Sequence, residues 1–499
     1  MPAPIVEIGL APHPWRDVVA IADGAAVTLH PAVRERLGLH RRAVEAIAAR
    51  GERAYGITTG LGALSDVILS REEIVTISTN TVRSHACAMG EPFAPRTVRA
   101  IMAGQILNFC HGPSGISPAV VDQIIRLLAE GITPVIPSQG SVGYISHTAH
   151  VGLALIGEGF VHDGGAVKPT AEALGAHGIA PLTLGAKEGL SLVNGTPCLA
   201  GLACLVLAEA ERLADWADLI AAMSFEVLGG QIAAFDAAAL AWKRHPGVQH
   251  VGARLRAALA GSQIVAANRG RRTQDALSIR SIPQIHGAIR DAIAATEQRV
   301  DGELASATDN PLVLLDGGEP RLVSQANPHG ETVALALDAL AIALAELGGV
   351  SERRLDRLVN PLVSGLPAFL VKHSGVNSGF MIAQYVAASI ASENKILATP
   401  ASVDNYVTSA LQEDHLSLGT PAALKALRLA GNVQKILAVE YLAAGQAYEF
   451  MDGRRPGAGT AQALAHLRAH VPPTETDRFM SPDLAAADGL LARPCPVGL

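Results

Sequence analysis

The sequence predicts a protein that is mainly α-helical, and three observations support this. Apolar residues make up 49% of the chain, whereas aromatic residues make up only 4% and charged residues 17%. Such a composition is typical of large, heavily buried helical proteins. Long stretches at 198–228, 331–358 and 379–397 carry apolar residues at helical spacing. Because these helices are apolar on most faces, they must be covered by neighbours, which predicts a long helical bundle that also packs against other subunits.

The length of the chain predicts more than one lobe. At 499 residues it exceeds what a single hydrophobic core usually organises. Helix length along the chain then predicts three parts: an N-terminal lobe with active-site loops over 1–195, a central helical bundle over 196–420, and C-terminal helices over 421–499.

Composition also excludes several classes of function. A formal net charge of −7 argues against nucleic acid or an anionic membrane as the main partner. None of the predicted helices shows about 18 uninterrupted apolar residues, so we interpret them as core helices. The five cysteines lack metal-site or disulfide-framework spacing, which predicts no metal site and a reducing compartment. The N-terminus lacks a signal-peptide pattern, so we expect a cytoplasmic protein.

Short polar clusters interrupt the apolar chain. Taken singly, each has a structural explanation, such as a helix cap, a surface ion pair or a buried histidine. Together they supply a phenol, an imidazole, a carboxylate, an amide and a guanidinium, which suits a small zwitterionic substrate. The candidate residues in these clusters are Tyr55, Ser84, His85, Asn194, Gln274, Arg280, Asn327, Gln412, Glu413 and His415.

Seven motifs resemble those of the histidine and phenylalanine ammonia-lyase family, in the family's order. The match runs from about 55 to 419 and includes YGITTGLG, SHACAMGEP, LVNGT, QDALSIR, TDNP, NSGFMIAQ and LQEDHLSLG. The Ser-His form of the second motif is typical of histidine-specific members. The resemblance implies an aspartase/fumarase-like fold with a long central helical bundle and a smaller N-terminal lobe. It also implies a homotetramer whose active sites are shared between subunits.

One departure from the family lies at the turn 140–143. In the family, Gly-Ser-Val-Gly is followed by Ala-Ser-Gly, which cyclises into an electrophilic methylidene-imidazolone. Here Gly143 is followed directly by Tyr144, a gap of three residues. Leu277 and Pro328 replace a tyrosine and a phenylalanine that surround the electrophile in the family. Either the tripeptide exists as a modified residue that the printed sequence leaves out, or the group is absent. The joint replacements favour its absence, and we therefore predict no cofactor.

Chemistry then narrows the expected substrate. The electrophile activates a primary amine, whereas a quaternary ammonium already leaves as a neutral amine. We therefore expect an ergothionase-type member that eliminates trimethylamine from ergothioneine, the 2-thione of histidine betaine, to give thiolurocanate. Three alternatives remain open: the betaine without sulfur, a histidine ammonia-lyase that converts histidine to urocanate and ammonia, and an inactive structural or regulatory paralogue.

The resemblance implies roles for the residues that touch the reacting part of the substrate. Tyr55 is the expected general base for the β-proton, which requires neighbours that stabilise its phenolate. Asn194 is expected to orient Tyr55 or the leaving group. Tyr144 stands where the electrophile would begin, so we expect it to face the ammonium group through a cation–π contact or to act as an alternative base. Equally, Tyr144 could simply fill the vacated space.

Further roles concern binding of the substrate's two ends. Arg280 is expected to hold the carboxylate, with Asn327 assisting. His85 and Glu413 are expected to bind the N–H groups of the ring, with Gln412 and His415 as second choices. Ser84 and Gln274 belong to the same motifs and are assigned to substrate binding with them.

Overall fold

The computed structural model describes residues 4–51, 53–317 and 319–498, and within them the chain is mainly helical. This confirms the predicted fold class. The described chain divides into two compact units. Unit 1 comprises residues 1–206, 296–337 and 400–424, and unit 2 comprises 207–295, 338–399 and 425–499. The predicted three-part division follows helix length instead and stays a prediction.

The first part of the chain alternates short strands with helices. Its elements are β1 Ile5–Ile8, α1 Trp15–Ala22, β2 Ala26–Leu29, α2 Pro31–Arg50, α3 Arg71–His85, β3 Met89–Pro92, α4 Pro95–Cys110, α5 Pro118–Ala129, β4 Thr133–Pro134, β5 Pro137–Gln139, α6 His147–Leu155, β6 Phe160–Asp163, β7 Ala166–Pro169, α7 Thr170–Ala176 and α8 Glu188–Val193.

The remainder of the described chain consists mostly of helices. Its elements are α9 Pro197–Val227, α10 Ala237–Ala241, α11 Pro246–Ala258, α12 Gln263–Asn268, α13 Leu277–Arg280, α14 Ile282–Leu304, β8 Leu312–Leu314, β9 Arg321–Val323, α15 Glu331–Val359, α16 Pro361–Ser364, α17 Met381–Leu397, α18 Gly419–Ala447, α19 Ala458–Arg468 and α20 Ser481–Leu491. Short 3-10 helices lie at Gly62–Leu64, Ile232–Phe235, Ala368–Leu370, Ser409–Leu411 and Tyr448–Phe450.

The strands form small ribbons in unit 1. β1 and β2 pair in parallel, and β4, β6 and β7 form a three-stranded sheet. The pairs β3–β5 and β8–β9 are antiparallel. Because β5 leads into the turn at 140–146 and β9 leads towards α15, these ribbons anchor loops that reach the candidate site.

Two stretches are long and apolar enough to cross a membrane by length and composition, in contrast to the prediction from the sequence. They are Glu188–Val227, with a mean hydropathy of 1.8, and Glu331–Val359, with 1.9. Within the chain, 100% of the apolar window of the first and 61% of that of the second are buried. Core helices pass the same test, and the deep burial of these windows favours a core role.

Charged residues that interrupt the apolar helices of unit 2 meet one another in its interior. Arg354 on α15 and Glu440 on α18 are fully buried, with Nε and Oε1 2.6 Å apart. Ser224 and Ser351 donate hydrogen bonds to the two oxygens of the same carboxylate. Every lone-pair direction of Glu440 is therefore matched by a donor on α9 or α15, which is what makes a buried carboxylate tolerable.

The Arg354–Glu440 pair yields a stability prediction. Replacing Arg354→Met leaves the buried carboxylate without its counter-charge, which should lower the free energy of unfolding by about 3–5 kcal/mol. Arg428 on α18 is the control because its side chain is 67% exposed and that of its partner Glu393 is 38% exposed. Arg428→Met should change the free energy of unfolding by less than about 1 kcal/mol. Urea unfolding followed by circular dichroism measures both, and equal losses would contradict the assignment.

Candidate active site

A cavity of about 1120 Å³ lies in unit 1, somewhat larger than most small-molecule sites. The loop after α2, the C-terminal half of α3 and the turn after β5 contribute to its wall. The segment from α8 to Asn194, the loop after β9 and the segment before α18 complete it. Eight of the predicted site residues line it, which are Tyr55, Ser84, His85, Tyr144, Asn194, Gln412, Glu413 and His415. Residues up to 360 positions apart in the sequence are thus brought to one cavity.

Tyr55 is held by its own glycine-rich loop. The backbone N–H of Gly62 donates a hydrogen bond of 3.1 Å to the Tyr55 phenol oxygen. Gly62 has φ +55°, and a Cβ at this position would lie 2.7 Å from Ser409 Oγ. Both the backbone conformation and the limited space therefore favour glycine here. A donor aimed at the phenol oxygen stabilises negative charge there, as a general base needs.

His85 lies at the end of α3 with its tautomer determined by its neighbours. Its Nδ1 lies 2.8 Å from the Thr81 carbonyl oxygen, so this nitrogen carries the proton and donates. Burial lowers the pKa of His85. The Thr81 carbonyl and the Glu413 carboxylate raise it, but they offset the effect of burial only in part. The ring is therefore neutral at pH 7, and Nε2 is left as a hydrogen-bond acceptor.

Tyr144 and Glu413 contact each other across the cavity. Burial raises the pKa of the Tyr144 phenol well above its usual value. The charge of Glu413 raises this pKa further, as do the hydrogen bond between Tyr144 and Glu413 and the proximity of Tyr55. Tyr144 thus keeps its proton and donates a hydrogen bond to Glu413. The second partner of Glu413 is Thr408 Oγ1, 2.8 Å from Oε2. A phenol held in this protonated state is a hydrogen-bond donor and a poor base.

The turn before α6 does not fit the electrophile that the family forms there. Gly143 is bonded directly to Tyr144, whose side chain lines the cavity. Gly143 has φ +129°, and a Cβ on it would lie 2.1 Å from Ser417 Oγ. The next two residues, Ile145 and Ser146, both have positive φ, of 66° and 72°. The short turn is therefore tightly enclosed and strained, and it contains no Ala-Ser-Gly to cyclise.

Asn194 is oriented by a buried ion pair. Lys187 Nζ and Asp309 Oδ2 are 2.6 Å apart, with side-chain exposures of 1% and 0%. Asn194 Nδ2 donates to Asp309 Oδ1 at 3.2 Å and to the Asn310 carbonyl at 2.9 Å. Because both amide hydrogens are used, Oδ1 is the end of Asn194 that can accept a hydrogen bond from a bound ligand.

Three predicted site residues do not line the cavity in the described part of the chain. Gln274 and Arg280 belong to unit 2, and the buried Nε of Arg280 has no hydrogen-bond partner among the described residues. Asn327 is exposed, and its Nδ2 donates to the Ala307 carbonyl at 3.1 Å. Their assignment to the substrate carboxylate stays a prediction.

Other residues line the cavity that were not predicted from the sequence. Asn310, Gln325 and His329 are among them, together with Asn80 on α3. Asn310 lies within the motif TDNP, and His329 lies two residues after the predicted Asn327, so proximity to these positions was an available signal. Lys187 carried no signal, because a lone lysine before a short helix usually lies in solvent.

Comparison with known proteins places this site in a family. The family model described as aromatic amino acid lyase matches residues 14–469. A histidine ammonia-lyase from Symbiobacterium thermophilum is 46% identical over 474 residues, covering 94% of this chain and 93% of the relative. A histidine ammonia-lyase from Deinococcus radiodurans is 42% identical, covering 95% and 91%. The chain therefore belongs to the aromatic amino acid lyase family and is a carbon–nitrogen lyase.

Solved structures confirm the fold, and their sequence identities bear on the expected substrate. A histidine ammonia-lyase from Trypanosoma cruzi has a TM-score of 0.91 at 36% identity, covering 98% of this chain and 93% of that one. An ergothionase from Treponema denticola has a TM-score of 0.93 at only 27% identity, covering 98% of both. The expectation of ergothioneine and trimethylamine is therefore wrong, because relatives of 42–46% identity are histidine ammonia-lyases.

The buried ion pair yields a prediction for the site. Asp309→Asn removes the charge that compensates Lys187 and weakens the acceptor that orients Asn194. We expect the free energy of unfolding to fall by about 3–5 kcal/mol, together with a loss of lyase activity. Asp316→Asn is the control, since its ion pair with Arg321 is half exposed, and it should leave both quantities nearly unchanged. Wild-type turnover in Asp309→Asn would contradict the orienting role.

The turn at 143–144 yields a prediction for mass spectrometry. The tryptic peptide 127–187 should have the mass of its unmodified sequence, because Gly143 and Tyr144 are joined directly and trypsin does not cleave between Lys168 and Pro169. Reduced and alkylated protein digested with trypsin provides the measurement, with peptide 213–243 as an internal standard. A peptide heavier by a cyclised Ala-Ser-Gly would show that the electrophile is present.

Proposed function

We propose that this protein is a histidine ammonia-lyase that eliminates ammonia from L-histidine to give urocanate. The observation that carries the proposal is a single cavity in which a candidate base, an acceptor for a ring N–H and a carboxylate for an ammonium lie together. The names of the 42–46% identical relatives support the same substrate.

The imidazole ring of the substrate is recognised near α3. His85 Nε2 accepts a hydrogen bond from one ring N–H, because its Nδ1 proton is committed to Thr81. Ser84 and Gln412 lie on the same wall and serve the second ring nitrogen. A site that satisfies both ring nitrogens discriminates against a phenyl ring, since buried polar groups would otherwise stay unpaired.

We assign the ammonium group of the substrate to Glu413, in place of the ring N–H that the resemblance implies for this residue. Glu413 is the nearby carboxylate, Tyr144 donates to it, and Asn194 Oδ1 is a free acceptor. These groups favour the protonated amine over the neutral one. Protonation lets the primary amine depart as neutral ammonia, just as a quaternary ammonium departs as a neutral amine. In this proposal it takes the place of the activation that the electrophile supplies in the family.

Tyr55 takes the β-proton. Its phenolate, stabilised by the Gly62 N–H, removes a proton from the carbon next to the ring. The electron pair of that C–H bond forms the C=C bond of urocanate, and the electrons of the C–N bond depart with ammonia. The proton ends on Tyr55, and both mass and charge balance.

The substrate carboxylate requires a cation. We assign it to Arg280, supplied by another subunit of a homotetramer, with Gln274 and Asn327 assisting. Large apolar side chains on α17 support assembly, since Ile382, Tyr385 and Ile396 are 54%, 63% and 73% exposed in the single chain. Exposed apolar patches on this scale are typical of interfaces. We place the tetramer in the cytoplasm.

The base assignment is tested with Tyr55→Phe, which removes only the phenol oxygen. Turnover of histidine should fall by about 10²–10⁴-fold, whereas KM should change little because the ring and carboxylate contacts remain. Product formation is followed by the ultraviolet absorbance of urocanate and by released ammonia. The matched control is Tyr406→Phe, since Tyr406 is exposed and does not line the cavity.

Two outcomes would overturn separate parts of the proposal. If the wild-type protein releases no ammonia from histidine, the substrate assignment fails. If histidine is converted but Tyr55→Phe turns over at the wild-type rate, the substrate stands and the base assignment fails.

A further inference from the structure

We propose that His329, Glu331 and His415 form a binding site for a divalent transition-metal ion such as Zn²⁺ at the wall of the cavity. His329 immediately precedes α15, Glu331 is the first residue of α15, and His415 lies in the segment before α18. One potential ligand atom from each side chain lies within 4.8 Å of the others. Two imidazoles and one carboxylate are a ligand set that zinc enzymes use.

The distance between the two histidines suits a shared ion. His329 Nε2 and His415 Nδ1 are 3.1 Å apart. Two nitrogens bound at about 2.0–2.1 Å to one tetrahedral ion lie about 3.4 Å apart, so only a small adjustment is needed. Without an ion, one ring must present its N–H to the other, and this ties both rings to a single hydrogen bond.

Glu331 provides a second, independent observation. Its Oε2 is buried and has no hydrogen-bond partner among the residues that the structure describes. A buried carboxylate oxygen without a partner is costly, and a bound ion is one of the recognised explanations for such an atom. Since this atom belongs to the same cluster as the two histidines, the ion would satisfy it.

The geometry also indicates where an exchangeable ligand would bind. Three protein ligands leave at least one coordination position of a tetrahedral ion open. His329 and His415 both line the cavity, so the open position would face the space in which small molecules bind. The site is therefore accessible from the cavity, in contrast to closed structural zinc sites with four protein ligands.

Metal binding in the absence of substrate tests the site directly. Full-length protein carrying Cys87→Ser, which removes an exposed thiol, is stripped with a chelator and titrated calorimetrically with Zn²⁺ and, in parallel, spectroscopically with Co²⁺. We expect one ion per chain and a visible Co²⁺ band without a thiolate charge-transfer band. His329→Gln, His415→Gln and Glu331→Gln should each weaken binding by more than about tenfold.

A histidine outside the cluster provides the control for metal binding. His245→Gln alters an exposed histidine far along the chain from the cluster and should bind Zn²⁺ as the parent does. Circular dichroism confirms that each variant is folded, and Glu331→Gln preserves the size of the side chain. No stoichiometric binding by the parent, or equal affinity in all four variants, would overturn the proposal. Neither result bears on whether histidine is the substrate.

Discussion

The candidate site depends on the ion pair between Lys187 and Asp309, which is excluded from water on all sides. Asp309 also receives hydrogen bonds from Ser191, Asn194 and the backbone N–H of Asn310. Burial lowers the pKa of Lys187, and the adjacent carboxylate opposes this shift. A pair of this kind contributes little net stability but tolerates no loss of a partner. It therefore connects the start of α8, the loop at Asn194 and the segment before β8 in one arrangement.

A second interaction, between Tyr144 and Glu413, determines the electrostatics of the cavity. The phenol directly follows the turn after which the resemblance to the family leads one to expect the electrophile-forming tripeptide, and it donates a hydrogen bond to the carboxylate rather than acting as a base. A carboxylate beside a neutral phenol is suited to a cation. The chemistry available to this chain is thus the stabilisation of an ammonium group, with proton removal left to Tyr55 on a separate loop.

Much of the fold and part of the site could be predicted from the sequence. Helical periodicity identified α9, α15 and α17 to within a few residues, because these helices are long and uniformly apolar. Motif order identified Tyr55, His85 and Glu413, which do line one cavity. The partner of Glu413 could not be predicted, since its contact with Tyr144 joins residues 269 positions apart. Nor could the substrate, because the three-residue gap before Tyr144 indicated ergothioneine, whereas relatives of 42–46% identity are histidine ammonia-lyases.

The positive φ angles of Ile145 and Ser146 have a consequence for engineering. Non-glycine residues in this conformation cost about 1–3 kcal/mol each, so glycine at 145 would be preferred on stability grounds alone. Glycine would also loosen the backbone that presents the adjacent phenol to the carboxylate. Selection for thermal stability and selection for turnover should therefore favour different residues at this position. A sequence optimised only for its melting temperature would be expected to lose the rigid turn first.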